Sequence, residues 1–178
     1  MQKPEPWLRG PIPGVNPLVA NLFYSFAQAR EELAGVLAGL GEDEIWLRPH
    51  GLAPVGFHIR HMGGAAERLG CYLAGRALGE EQLAELQREG DAGVSGEELM
   101  AQLARRTAAL ERQVMAMDVA RLSEHRQVGR ARLPTTAIGL IVHIAEHTQR
   151  HLGQAITTAK LIKNLRGGES GEQASAVV

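Results

Sequence analysis

Three histidines recur at steps of four in the run His143-Ile144-Ala145-Glu146-His147-Thr148-Gln149-Arg150-His151. On a helix, residues four apart stack on one face, close enough for two imidazoles to grip one metal ion. His58 and His61 form a second pair far upstream, at i, i+3 spacing. Two imidazoles from one helix and one from another leave a fourth position open, which is what a catalytic zinc-type centre needs. A lone histidine on a helix flank is usually a surface residue. Five on two helices, out of seven in the chain, carry more weight.

Other metal and catalytic motifs are excluded. His147-Thr148-Gln149-Arg150-His151 lacks the glutamate of H-E-x-x-H. No histidine follows a Glu by three residues, so the Glu-x-x-His pairs of di-iron bundles are missing. His143 to His147 formally matches H-x-x-E-H, but Glu146 falls about 140° from the apolar centre of its helix. There is no phosphate-binding loop, dinucleotide fingerprint or Gly-x-Ser-x-Gly elbow. Cys71 falls on the far side of its helix from the buried face and has no neighbouring base, so it makes a weak nucleophile.

These residues need helices to position them, and the composition supplies helices. The chain has 178 residues, 44% of them hydrophobic, enough for one domain with a core. Only 4% are aromatic, so Leu, Ala, Ile and Val must fill that core. This suits packed helices better than a sandwich of sheets. A net charge of -1 gives no footprint for nucleic acid or an anionic membrane. Arg126, Arg130 and Arg132 read as a solvated loop. The single cysteine rules out an internal disulfide framework and fits a reducing cytoplasmic compartment. The Pro- and Gly-rich stretch 1–14 reads as no signal peptide, and no apolar run is long enough to span a membrane.

Four helices are predicted. The first opens at Asn16-Pro17 and carries Leu18, Leu22, Phe26, Ala29, Leu33, Leu37 and Leu40 before stopping at Gly41. The second spans Pro54 to Ala74, burying Val55, Ile59, Met62, Ala66, Leu69 and Leu73. A short helix is expected near Glu80 to Arg88. Ser95-Gly96-Glu97-Glu98 is a capping box that starts the third helix, with Leu99, Leu103, Leu110, Val114 and Met117 inward. A loop through His125 and Gly129 to Pro134 leads to Thr135 or Thr136, which caps the fourth. That helix buries Ile138, Ile141, Ala145, Leu152, Ile156 and Ala159 and ends at Gly167-Gly168. The expected division is an N-terminal extension over 1–15, a bundle over 16–166 and a disordered tail over 167–178. No strand signal appears. The fold class is all-α, a four-helix bundle whose long connections argue against simple up-and-down order.

At about 100° per residue, His151 lies roughly 80° from the apolar centre of the fourth helix, His147 about 120° and His143 about 160°. His147 and His151 therefore form the better pair, and His143 faces solvent. On the second helix, His58 lies about 50° from the apolar centre and His61 about 110°. Periodicity favours His58 as the inward residue but does not say which of the two reaches the fourth helix.

The chain resembles the DinB/YfiT-like superfamily of small, damage-inducible helical proteins. Three stretches carry the likeness: Trp46-Leu47-Arg48-Pro49, Val55-Gly56-Phe57-His58-Ile59-Arg60-His61-Met62, and His143 to Gln154. Helix order and length agree over roughly Asn16 to Leu165. The resemblance implies one metal-binding histidine on the second helix and an H-x-x-x-H pair on the fourth. The pair matches His147 and His151. The segment His61-Met62-Gly63-Gly64 matches the second-helix position, which selects His61 over His58. His58 and His143 remain as additional or supporting residues, with Gln154 and Glu67 as supporting candidates by their place along the helices.

The resemblance further implies a homodimer and one divalent metal ion, zinc or nickel. The metal would act as a Lewis acid toward a water or a small-molecule thiol. Thiol S-transfer is the first expectation and metal-assisted hydrolysis the second. No residue stands out as a general base, so the catalytic residues are unknown from sequence. The rival expectation is a non-enzymatic dimeric stress-response or binding bundle whose metal is structural or lost.

Overall fold

The computed structural model describes residues 3–175. Asn16 Oδ1 accepts a hydrogen bond from Leu18 N at 2.9 Å and starts a turn that leads into helix α1, Ala20–Leu37. Leu18 sits in that turn and is exposed rather than part of the buried stripe. Gly41 does not stop α1; it caps the one-turn helix α2, Glu42–Ile45, where its N–H donates to Glu44. Helix α3, Val55–Leu73, has nearly the expected bounds, and the short α4 covers Glu80–Gln87. Ser95 Oγ accepts from Glu98 N at 3.2 Å and starts α5, Gly96–Met115, as the capping box predicts.

The stretch after α5 corrects the sequence reading. His125–Val128 (β1) and Leu133–Thr136 (β2) pair antiparallel, with Val128 opposite Leu133. The turn between them uses positive φ at Gly129 and Arg132. Strands of four residues with a proline and mostly polar side chains give no clear alternation, so the sequence carries no strand signal. Arg126 is not solvated either. Its guanidinium donates to the Leu73 carbonyl at 2.7 Å and to Glu124 at 2.9 Å, pinning the hairpin to the end of α3.

Thr136 Oγ1 accepts from Gly139 N and caps α6, Ala137–Ser175. The helix runs through Gly167-Gly168, where a stop was expected. Glycine costs a helix about 1 kcal/mol but does not break it as proline does. The end of the expected disordered tail, residues 176–178, lies outside the described residues.

Four long helices form a ring in which α1 packs on α6, α6 on α3, α3 on α5 and α5 on α1. Contacts such as Gln149 with Ser25 and Gln113 with Gly70 show that α6 runs parallel to α1 and α5 parallel to α3. His58 with His151, and Arg30 with Thr107, show that the two pairs are antiparallel. Consecutive helices α1 and α3 lie across the ring, as do α5 and α6, so the bundle is not simple up-and-down. Two apolar clusters fill it. One holds Phe23, Phe26, Leu73, Leu110, Ile141 and Ile144 near the hairpin, and the other Leu33, Ile59, Leu103, Leu152 and Ile162 toward the opposite end.

Candidate metal centre

On α6 the first apolar cluster ends at Ala145 and the second begins at Leu152. His147 and His151 occupy the seam between them, facing α3. Thr148, between the two histidines, faces the core, and its hydroxyl returns to the Ile144 carbonyl at 2.8 Å. Because α3 runs antiparallel to α6, residues 58 and 61 meet 151 and 147. His61 Nε2 stands 3.2 Å from His147 Nε2, and His58 Nδ1 stands 3.0 Å from His151 Nδ1. One nitrogen from each of His61, His147 and His151 lies within 4.8 Å of the others, a group that could hold a metal ion.

The donor set fits a divalent metal. Two nitrogens bound to zinc at 2.0–2.1 Å in a tetrahedron stand about 3.3 Å apart, close to the separation of His61 and His147. All three imidazoles are half-buried. Burial holds the His147 pKa down to about 4 and that of His151 to about 3, with neighbouring His61 adding to both shifts. His58 is lowered to about 4, again by burial first and His61 second. These three rings are therefore neutral at physiological pH, the form that ligates a metal.

His61 has a partner on its other side. Its Nδ1 stands 2.6 Å from Glu89 Oε2, and the Glu89 side chain is only 2% exposed. Arg68 Nη1 forms an ion pair with the second oxygen, Oε1, at 2.7 Å, although no hydrogen bond of good geometry reaches that atom. Burial alone would raise the Glu89 pKa, but His61 and Arg68 outweigh it and lower it. Phe57 stacks on His61 with ring centres 5.3 Å apart and planes 15° from parallel.

The other sequence candidates fall outside this group. His143 is half-exposed, 3.8 Å from Glu146, which itself pairs with Arg150. Glu67 pairs with Arg106 at 3.2 Å and with Gln82, away from the histidines, and Gln154 is exposed. Cys71 is buried, which corrects its expected placement. Gln82 of α4 covers it and donates to its sulfur at 3.2 Å. Sequence reasoning missed Phe57, Arg68 and Glu89. Arg68 was within reach of it, two turns beyond His61 on the same helix face. Two cavities of about 660 Å³ lie elsewhere, one among α3, α4 and α5 and one against the hairpin, and none of the five clustered histidines lines either.

The fold is a helical bundle in which three histidines cluster between two antiparallel helices. The DinB superfamily model matches residues 25–155, and the chain belongs to that superfamily. A crystal structure of a conserved protein from Enterococcus faecalis has the same fold, with a TM-score of 0.65 over 84% of this chain and 99% of that one at 17% identity. No curated protein matches the chain in sequence. No helix among the described residues is long and apolar enough to cross a membrane.

Proposed function

We propose that His61, His147 and His151 hold one divalent metal ion, zinc or nickel, and that the protein is a metal-dependent enzyme acting on a small molecule. The observation that carries this reading is the convergence of three half-buried imidazole nitrogens from two helices within 4.8 Å. Three ligands leave a fourth position for substrate, whereas structural zinc sites fill all four with protein. A bound ion would serve as a Lewis acid, lowering the pKa of a thiol or water placed at that position.

The chain's own residues shape what such a site can accept. Phe57 lies beside His61 and His151 and gives the entrance an apolar wall. Among the described residues no free carboxylate stands at the cluster to take a proton, since Glu89 is buried against His61 and Arg68. A substrate whose own group ionises readily on a metal suits that setting, which favours low-molecular-weight thiol S-transfer over hydrolysis. We place the protein in the cytoplasm as a homodimer, following the expectation from sequence.

The test is elemental analysis of untagged protein beside His61→Ala and His147→Ala. About one equivalent of zinc or nickel, lost in both variants, supports the site and justifies thiol-transfer assays. No metal after reconstitution overturns it and leaves a binding bundle.

A further inference from the structure

We infer that Glu89 is the positioning residue of the metal centre, fixing the ring of His61 so that Nε2 faces His147 and His151. The inference deepens the metal reading above and rests on it. Glu89 lies outside every helix, two residues past the end of α4. Its side chain is nevertheless among the most buried in the protein, and it is the only buried carboxylate among the described residues. A loop carboxylate in the interior needs a reason, because burying charge is expensive unless it is paired.

Two partners supply one. Glu89 Oε2 accepts from His61 Nδ1 at 2.6 Å, and Arg68 balances the charge through Oε1. An Nδ1–H that donates to a carboxylate leaves the Nε2 lone pair bare, and that nitrogen is the one 3.2 Å from His147. A carboxylate behind a ligating imidazole also makes the ring a stronger donor.

The surroundings are built to deliver Glu89. Gly64 lies on α3 between His61 and Arg68, and a Cβ there would run into Glu89 Oε1 and come within 2.6 Å of Arg68 Nη1. Any larger residue there would have to push the pair aside. The loop itself is tied down by Arg60, one residue before His61, whose Nη1 donates to the carbonyls of Arg88 and Asp91 at 2.8 Å each. Arg60 in turn lies over the Trp46 ring at 4.8 Å. Helix α3 thus presents the ligand, the counter-charge, the gap and the clamp for one loop residue.

The experiment uses the untagged full chain and its Glu89→Gln and Glu89→Ala variants. Zinc affinity is measured by competition with a chromophoric chelator. The His61 tautomer is read in the metal-free protein from long-range nitrogen–proton NMR correlations at neutral pH. Expected are an Nδ1–H tautomer in the wild type, a mixed population in Glu89→Ala, and zinc binding weakened about 10- to 100-fold. Glu89→Gln keeps an acceptor oxygen, so it should retain more of both properties, and it remains informative where Glu89→Ala fails to fold. Affinity within twofold of wild type in both variants, or weaker binding with the tautomer unchanged, overturns the inference. A wild type that binds no zinc sinks the metal reading, and the tautomer then decides separately whether Glu89 sets His61.

Discussion

His61 on α3 and His147 on α6 face each other through their Nε2 atoms at 3.2 Å. In the metal-free protein one ring must donate a proton across that contact, because two bare lone pairs repel. The spacing is close to what a tetrahedral ion would impose, so the helices need not move to accept one. Zinc should therefore raise the melting temperature without changing the far-ultraviolet circular dichroism. At a free concentration 100 times Kd the gain is about 2.7 kcal/mol. His147→Ala should abolish it. An equal rise in that variant would place the binding elsewhere.

Gly64→Ala tests the room that the Glu89–Arg68 pair requires. On helix propensity alone the change should stabilise α3 by about 1 kcal/mol. The new methyl would instead crowd the buried ion pair, and overpacking of this kind costs about 1–3 kcal/mol. We expect a net loss of up to about 2 kcal/mol in urea unfolding. Gly35 on α1 has open space around its Cβ position, so Gly35→Ala should be neutral or stabilising. Similar effects at the two sites would remove the steric argument.

Apolar spacing made the bundle legible in the sequence. The stripes of α1, α3, α5 and α6 repeat over four or more turns, and the Ser95 capping box marks its helix start to the residue. What failed has physical causes. A helical wheel puts Cys71 outside because it assumes one buried face, whereas α3 packs against α5, α6 and α4. The hairpin was missed because its strands are short and held partly by Arg126 reaching back to α3. The wheel puts His58 inward and His61 on the flank; in the structure His58 is buried and His61 partly exposed. The cluster lies at the rim of the α3–α6 seam, so the flank residue is the one that meets His147. Glu89 was invisible because it joins His61 across 28 residues from a loop with no periodicity.

The buried imidazoles give the metal-free protein a defined pH response. His58 and His147 are lowered to about 4 and His151 to about 3, below the ordinary value near 6.5 that they regain on unfolding. Between those limits the unfolded chain binds more protons than the folded one. Stability therefore rises with pH through this window, is complete above about 6.5, and is lost as pH falls toward 4. Melting temperatures in chelator should fall steadily from pH 7 to pH 4.5. The profile should flatten in a His147→Asn, His151→Asn double variant. A flat wild-type profile would contradict the neutral, buried state of these rings.

His58 offers the sharpest test of which histidine on α3 belongs to the centre. Its ring is the most buried of the five, yet its Nδ1 faces His151 Nδ1 at 3.0 Å, and it lies outside the group formed by His61, His147 and His151. A hydrogen bond between the two Nδ1 atoms leaves His151 its Nε2 for an ion, so His58 would orient a ligand rather than act as one. His58→Ala should thus keep about one equivalent of zinc with affinity reduced about 10- to 100-fold, while His61→Ala loses it. Truncating a buried ring also opens a cavity, so a lower melting temperature is expected. His58→Phe fills that cavity without a nitrogen and separates the two effects. If His58→Phe loses zinc completely and His61→Ala keeps it, the ligand on α3 is His58 and the centre is built on the other pair.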